Sequence, residues 1–201
     1  MTRRILAAGL RLLTGVRRLH ESPHGDGPAV FFANHSSHLD FAVAWAALPA
    51  ELRERTSPAA AHDYWSKTKL RQWIATQLFQ SVLIERLHIT RENNPITPLI
   101  DCLDRGRSVL IFPEGTRRGD GEVGEFKAGL YHIARNRPEI PLVPVQLENL
   151  NRLMPKGTYA FVPLIAQAHF RAPIRLLEGE TKADFLSRAR AALLNDEHLT
   201  Q

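Results

Sequence analysis

Short apolar runs alternate along the chain with longer segments in which apolar residues recur every three or four positions. Runs of the first kind predict strands, and they lie at 28–33, 59–62, 82–84, 108–112, 142–147 and, as one or two strands, 160–170. Segments of the second kind predict helices, at 41–48, 67–79, 94–105, 127–136 and 181–194. Strands that alternate with helices predict an α/β fold, here a single-domain sandwich with a mostly parallel or mixed central sheet flanked by helices.

Length and composition are those of one ordinary globular domain. The chain has 201 residues, of which 44% are hydrophobic and 23% are charged, and we place the domain at residues 28–201. Its one cysteine, Cys102, cannot form an internal disulfide and fits a reducing compartment. No run reaches the roughly 18 apolar residues of a transmembrane helix, and Arg11 interrupts the N-terminal apolar stretch, so we predict neither a membrane span nor a secretory signal.

The excess of positive charge lies in residues 1–20. The chain has 26 Lys and Arg against 21 Asp and Glu, and residues 1–20 contain five arginines and no acidic residue. At about 100° per residue, the apolar residues of this stretch share one side of an amphipathic helix, and Arg4, Arg11 and Arg18 share the other. Such a helix predicts contact with an anionic membrane surface, on its cytoplasmic face and without a span; the alternative is that its leucines pack onto the domain. Nucleic acid is excluded as a partner, because the remaining chain has no basic stripe or stacking aromatic residues.

A histidine and a carboxylate follow the first predicted strand of the domain, in Asn34-His35-Ser36-Ser37-His38-Leu39-Asp40. On a regular helix, residues five apart lie about 140° apart around the axis and do not pair. If His35 lies on a turn and Asp40 in the first turn of a helix, the imidazole can bond to the carboxylate. The other ring nitrogen is then free to accept a proton from a hydroxyl. The alternative is that the polar residues only cap the helix and His35 is a turn residue.

A second polar loop follows the strand at 108–112, in Phe112-Pro113-Glu114-Gly115-Thr116-Arg117. A glycine lets the backbone approach a ligand, a threonine offers a hydroxyl, and an arginine matches the geometry of phosphate. The loop therefore predicts an anion-binding site, although by itself it also fits a solvated surface turn.

The two motifs together resemble the glycerolipid acyltransferases, the family of the lysophosphatidate and glycerol-3-phosphate acyltransferases. Four blocks occur here in the family's order, over residues 28–147. The two motifs are the first and third blocks, and both are specific. The second, which ends at Arg86, and the fourth, at 140–145, are weak patterns that many α/β proteins share. Phe126-Lys127-Ala128-Gly129 also resembles a step that precedes a helix in the family.

The resemblance implies transfer of a fatty acyl group from acyl-CoA or acyl-carrier protein to a free hydroxyl of a lysophospholipid. The most plausible acceptor is 1-acylglycerol 3-phosphate, which would give phosphatidic acid in phospholipid biosynthesis. His35 would take the hydroxyl proton and Asp40 would hold the imidazole tautomer. The substrate-binding residues would be Arg86, Glu114, Gly115, Thr116, Arg117 and Lys127. Among them Glu114 would orient the basic groups, and Lys127 could equally be a surface lysine. No metal or cofactor is expected beyond the acyl thioester as co-substrate.

Two other functions compete with acyl transfer. A metal-dependent hydrolase would use His35, His38 and Asp40, with His62 as a further ligand, because histidine and aspartate are good zinc ligands. That hypothesis leaves the anion loop without a role. The other alternative is a non-catalytic membrane-binding module that kept the fold, which the presence of both His35 and Asp40 disfavours.

Overall fold

The sequence folds into eight helices and seven strands within the described residues. A computed structural model of the protein describes residues 2–19, 27–37, 40–86, 90, 93–116, 122–149 and 166–194. The helices are α1 (Thr2–Thr14), α2 (Asp40–Ala47), α3 (Ala50–Arg55), α4 (His62–Trp65), α5 (Lys69–Trp73), α6 (Thr97–Asp104), α7 (Gly129–Asn136) and α8 (Lys182–Leu194). A π-helical turn at Ile74–Leu78 continues α5. The strands are β1 (Arg17–Leu19), β2 (Val30–Ala33), β3 (Thr56–Ala61), β4 (Val82–Ile84), β5 (Ser108–Ile111), β6 (Leu142–Glu148) and β7 (Gln167–Phe170).

The strands form one mixed sheet in the order β1-β7-β6-β2-β5-β3-β4. Five of them, from β6 to β4 in that order, run parallel. Strand β7 is antiparallel to β6, and β1 is parallel to β7. The predicted α/β class and mixed sheet are confirmed. The carboxyl ends of the five parallel strands meet at one edge of the sheet, which we call the carboxyl edge.

Both faces of the sheet are covered, because alternate side chains of the central strands point to opposite sides. Phe31 and Ala33 of β2 join a core formed with α1 and α2. Val30 and Phe32 join a second core formed with α6, α7 and α8. Each of these four side chains is fully buried, and burial of a side chain the size of phenylalanine contributes about 1.5–3 kcal/mol.

Helix ends follow the capping residues seen in the sequence. Thr181 Oγ1 accepts a hydrogen bond from the Asp184 backbone N–H (3.2 Å) and donates to the Asp184 carboxylate (2.6 Å), so Thr181 caps the N-terminus of α8. Helix α6 ends just before Gly106, whose φ of +73° is the left-handed conformation that favours glycine. The helix predicted at 94–105 begins later, at Thr97, with Ile96 as its N-cap. Asn94 lies two residues before this cap and stabilises the preceding turn by accepting from the Ile96 N–H at 3.0 Å.

The N-terminal helix is shorter than its apolar spacing predicts. It ends at Thr14; Gly15 has φ +59°, and residues 17–19 form β1 instead of the last helical turn. Its apolar side is divided, since Leu6 and Leu10 pack on the core whereas Leu12 is 87% exposed. The prediction of a helix to Leu19 was wrong because pairing with β7, a strand 150 residues away along the chain, decides the structure there.

Arginines predicted to face solvent or lipid instead bind backbone carbonyls of the domain. Arg11 donates to the carbonyls of Ala46 (2.6 Å) and Leu48 (3.0 Å) at the end of α2. Arg53 belongs to the charged run at 51–55, whose composition is typical of a solvated segment, but it is buried and donates to the same two carbonyls. Both guanidinium groups stabilise the negative end of the α2 dipole. Burial and the neighbouring charge of Arg11 lower the pKa of Arg53.

Candidate active site

His35 and Asp40 pair as the sequence predicts. The chain leaves β2 after Ala33, turns through 34–37 and enters α2 at Asp40. His35 Nδ1 lies 2.8 Å from Asp40 Oδ2. The same oxygen accepts the backbone N–H groups of Ser36 (2.5 Å) and Ser37 (2.7 Å), so the turn itself fixes the carboxylate. Asp40 is fully buried and the His35 side chain is 23% exposed. Because Nδ1 donates to the carboxylate, the tautomer assigned by this bond leaves the Nε2 lone pair free.

Two neighbours fix the position of the histidine turn. The Asn34 side chain bonds to both backbone groups of Leu147 at the end of β6, donating from Nδ2 to the carbonyl (2.9 Å) and accepting from the N–H at Oδ1 (2.7 Å). The His35 ring stacks on Phe112, with centroids 4.4 Å apart and planes 25° apart. The first motif is therefore held by β6 on one side and by the end of β5 on the other.

Glu114 binds backbone amides and is 5% exposed. Its Oε1 accepts the N–H of His35 at 2.7 Å and its Oε2 accepts the N–H of Gly124 at 2.8 Å. We expected this carboxylate to orient the basic groups of the anion loop, and the structure shows it bonded to the histidine turn and to the segment before α7 instead. Glu114 thus joins three chain segments at the carboxyl edge.

The glycine of the anion loop is crossed by a lysine. Gly115 has φ +71°, and a Cβ built on it would lie 2.7 Å from Lys127 Nζ and 2.9 Å from Lys127 Cδ and Cε. Lys127 is anchored through its backbone N–H, which donates to the Pro113 carbonyl at 2.9 Å. The structure therefore places an ammonium group against the loop that we predicted to bind phosphate. Thr116 is exposed on the same loop, and Arg117 lies outside the described residues.

Arg86 also lies at the carboxyl edge, two residues after β4. Its guanidinium forms two bonds to the Asp63 carboxylate, Nε to Oδ1 at 2.8 Å and NH2 to Oδ2 at 3.0 Å. The strand predicted at 59–62 is longer and ends one residue earlier, as β3, and His62 and Asp63 begin α4 directly after it. The hydrogen bond from Arg86 lowers the pKa of Asp63, and the same bond raises the pKa of Arg86.

No metal centre is formed by the residues that the structure describes, since no three His, Cys, Asp or Glu side chains among them are grouped to hold an ion. His38, a ligand in the hydrolase hypothesis, lies outside those residues.

Comparison with known proteins shows the family of this chain. A family model described as acyltransferase covers residues 13–148, more than half of the chain. The chain belongs to the acyltransferase family. This match confirms the predicted family, and the matched stretch includes His35, Asp40, Glu114 and Lys127.

Relatives of this chain carry closely similar names. A chloroplastic 1-acyl-sn-glycerol-3-phosphate acyltransferase of Brassica napus is 29% identical over 150 residues, which are 72% of this chain and 40% of the relative. The alpha form of 1-acyl-sn-glycerol-3-phosphate acyltransferase from Homo sapiens is 29% identical over 175 residues, 84% of this chain and 57% of the relative. The chain therefore spans about half the length of these relatives.

A solved structure shares the fold. The crystal structure of the 1-acyl-sn-glycerophosphate acyltransferase from Thermotoga maritima superposes with a TM-score of 0.73 at 21% identity, covering 96% of this chain and 78% of that chain. At that identity the likeness concerns the fold.

Sequence reasoning missed three residues that shape the site. Asn34 directly precedes His35, yet its bond to Leu147 joins positions 113 residues apart. Asp63 is the residue after His62, and its pairing with Arg86 links the ends of β3 and β4. Phe112 ends the strand predicted at 108–112, and its stacking on His35 depends on the register of β2 and β5. Of these three residues, only Asn34 could have been found from local sequence, because it directly precedes His35.

Proposed function

We propose that the protein transfers a fatty acyl group from an acyl thioester to the free hydroxyl of a lysophospholipid, and that the acceptor is 1-acylglycerol 3-phosphate. The observation that carries the proposal is the His35–Asp40 pair with its second ring nitrogen available. The names of the relatives support the acceptor, and the anion loop at the same edge of the sheet supports a phosphate on it.

The reaction needs one base and no acyl-enzyme. The hydroxyl oxygen attacks the thioester carbon while His35 Nε2 takes the hydroxyl proton, a contribution of about 10²–10⁴ in rate. The tetrahedral intermediate then expels the thiolate as the C–S bond breaks, and the imidazolium returns the proton to the sulfur. Asp40 stabilises the imidazolium between these steps. No serine or cysteine of the described residues bonds to the His35 ring, which supports the substrate's own hydroxyl as the nucleophile.

The phosphate of the acceptor is bound by the anion loop and its basic neighbours. Lys127 places its ammonium against Gly115, where the backbone can approach a ligand closely. Arg117 and Thr116 follow on the same loop, and Arg86 stands further along the carboxyl edge. Glu114 acts indirectly, because its two bonds hold the His35 backbone in place beside this loop.

The proposal includes an anionic membrane surface as partner. Leu12 and Leu13 of α1 are 87% and 65% exposed, and Leu70 and Trp73 of α5 are 67% and 53% exposed. Strand β1 runs antiparallel to β2, so α1 ends at the carboxyl edge, and α5 starts close to that edge after α4. A tryptophan among leucines suits the headgroup region of a bilayer. Helices in the described part of the chain are all too short or too polar to cross a membrane.

The donor is an acyl thioester, carried on coenzyme A or on acyl-carrier protein. A matrix of both donors against lysophosphatidate, glycerol 3-phosphate and larger lysolipids identifies the pair of substrates. We expect His35→Ala to abolish transfer, and Asp40→Asn to lower kcat by about 10³–10⁴, because an amide no longer fixes the tautomer. His132→Ala, an exposed histidine of α7, serves as the control and should retain full activity. Transfer by His35→Ala at the wild-type rate would refute the mechanism, and activity that is lost in chelator together with bound zinc would favour the hydrolase.

Vesicle binding tests the membrane contact separately. We expect the Leu12→Glu/Leu13→Glu protein to lose sedimentation with anionic vesicles and to keep turnover of a short-chain, water-soluble acceptor. Leu177→Glu changes a leucine that is 59% exposed outside α1 and α5, and should sediment like the wild type. Equal sedimentation of all three proteins would contradict the proposed contact.

A further inference from the structure

Arg86 has a partner that occupies its anion-binding geometry. Both oxygens of Asp63 face the Nε and NH2 groups of Arg86, at 2.8 and 3.0 Å. A phosphate is bound by arginine through the same two parallel hydrogen bonds. The carboxylate therefore stands where two phosphate oxygens would stand if Arg86 bound the acceptor.

Asp63 follows β3, a strand that lies between Arg86 and the strand that carries the His35–Asp40 dyad. In the sheet, β3 separates β4 from β5, and β5 separates β3 from β2. Asp63 follows β3 and Arg86 follows β4, so the guanidinium extends towards the strands that carry Glu114 and His35. Neighbouring strands are about 4.8 Å apart. A substrate that contacts both Arg86 and His35, with the side chains that hold it, must therefore span the ends of β3 and β5.

The pair is open to exchange. The side chains of Arg86 and Asp63 are 43% and 25% exposed, and an ion pair in contact with water is weak. A phosphate monoester carries more negative charge than a carboxylate and makes stronger bonds with a guanidinium. Lys67, four residues after Asp63, lies close enough to stabilise the aspartate charge, so the released carboxylate keeps a cation nearby.

We infer that Asp63 is a resident counter-ion that the acceptor's phosphate must displace from Arg86, and that this competition sets selectivity for the headgroup. A doubly charged phosphate monoester displaces the carboxylate more readily than a singly charged diester, and an uncharged headgroup does not displace it. The inference rests on the proposed function, since it requires a phosphate-bearing acceptor. It assigns a specificity-determining role to a residue outside both motifs.

The test compares Asp63→Asn with the wild type. We expect the KM for 1-acylglycerol 3-phosphate to fall about two- to fivefold with kcat unchanged, because the exposed pair no longer competes. The KM for monoacylglycerol, an uncharged acceptor, should stay the same. In an Arg86→Gln background the substitution should have no effect, since the group for which Asp63 competes is gone.

A matched control is available in a second two-point pair of the same residue types. Arg137 binds Asp104 through Nε (2.6 Å) and NH2 (2.5 Å), but α6 ends at Asp104 just before β5 begins, at the opposite edge of the sheet. Asp104→Asn should leave the KM for both acceptors unchanged. Asp63→Ser is the second variant, and thermal unfolding of each protein identifies loss of folding.

Each outcome decides between the alternatives. A KM for the monoester that is unchanged or raised in both Asp63 variants would overturn the inference, because Asp63 would then be irrelevant to Arg86 or needed to orient it. If the wild type transfers acyl groups to no lysolipid, the proposed function fails. The pair can still be judged in that case by calorimetric titration with inorganic phosphate, which should bind Asp63→Asn about two- to fivefold more tightly than the wild type.

Discussion

Glu114→Gln is the substitution that tests the site architecture most directly. The carboxylate accepts one backbone N–H on each oxygen, from His35 and from Gly124. A glutamine in the same position keeps one acceptor, and its NH2 group must face the other N–H. One charge-assisted bond is then lost and one buried donor is left unpaired, which together cost about 2–3 kcal/mol.

The lost hydrogen bonding would weaken the fixation of the His35 backbone, which Glu114 holds. If the full cost is expressed in the transition state, kcat falls about 30- to 150-fold. The KM for the acceptor should change little, because Glu114 does not contact the phosphate in this arrangement. Steady-state kinetics with saturating donor separate the two parameters. Glu180→Gln is the control, since Glu180 also accepts a backbone N–H, from Leu177 at 3.1 Å, but lies before α8. A Glu114→Gln protein with a raised KM and unchanged kcat would refute the reasoning and return Glu114 to the substrate-binding residues.

Two further predictions follow from the same structure, one on two glycines and one on an ion pair. Gly115→Ala and Gly106→Ala both force a residue with a Cβ into a left-handed conformation, at φ +71° and +73°, so each should lose about 1–2 kcal/mol in chemical denaturation. Only Gly115→Ala should also raise the KM for phosphate-bearing acceptors, because its Cβ displaces Lys127, whereas Gly106 has open space around it; equal KM values would contradict a phosphate role for the lysine. The hydrogen bond from Arg188 lowers the pKa of Glu180, so this pair stabilises the fold above the ordinary glutamate pKa and the effect disappears as pH falls through the lowered value. Arg188→Gln should therefore lower the Tm at pH 7, with the difference from wild type closing on acidification; a difference independent of pH would contradict this assignment.

The fold was predictable where local pattern and tertiary structure agree. Strands β2 and β5 are continuous apolar runs because both faces of a mostly parallel sheet are buried. Helices α6 and α8 begin and end near residues with clear capping chemistry. The His35–Asp40 pair was predictable for a similar reason, since one turn of chain holds both residues and the carboxylate bonds to the amides between them.

The remaining features depend on contacts between distant segments. Residues 17–19 have an apolar spacing that fits a helix, but pairing with β7 makes them a strand. Arg53 belongs to a charged run that suggests solvent, and it is buried because the carbonyls ending α2 need donors. Arg86 pairs with Asp63, which lies 23 residues away along the chain, and Glu114 bonds to the His35 backbone, which lies 79 residues away. No local pattern identifies such partners.

The bond between Asn34 and Leu147 explains how a reactive turn can occupy the middle of a sheet. Where a central strand stops early, its neighbour is normally left with an N–H and a carbonyl that have lost their ladder partners, which is costly in a buried place. The Asn34 amide offers one donor and one acceptor, as a peptide unit does, and satisfies both groups of Leu147. The main chain is thereby released from the ladder one residue ahead of the histidine. An aspartate at this position would supply no donor. The Leu147 carbonyl would then lose its partner, so a turn that leaves the sheet at this point would destabilise the end of β6.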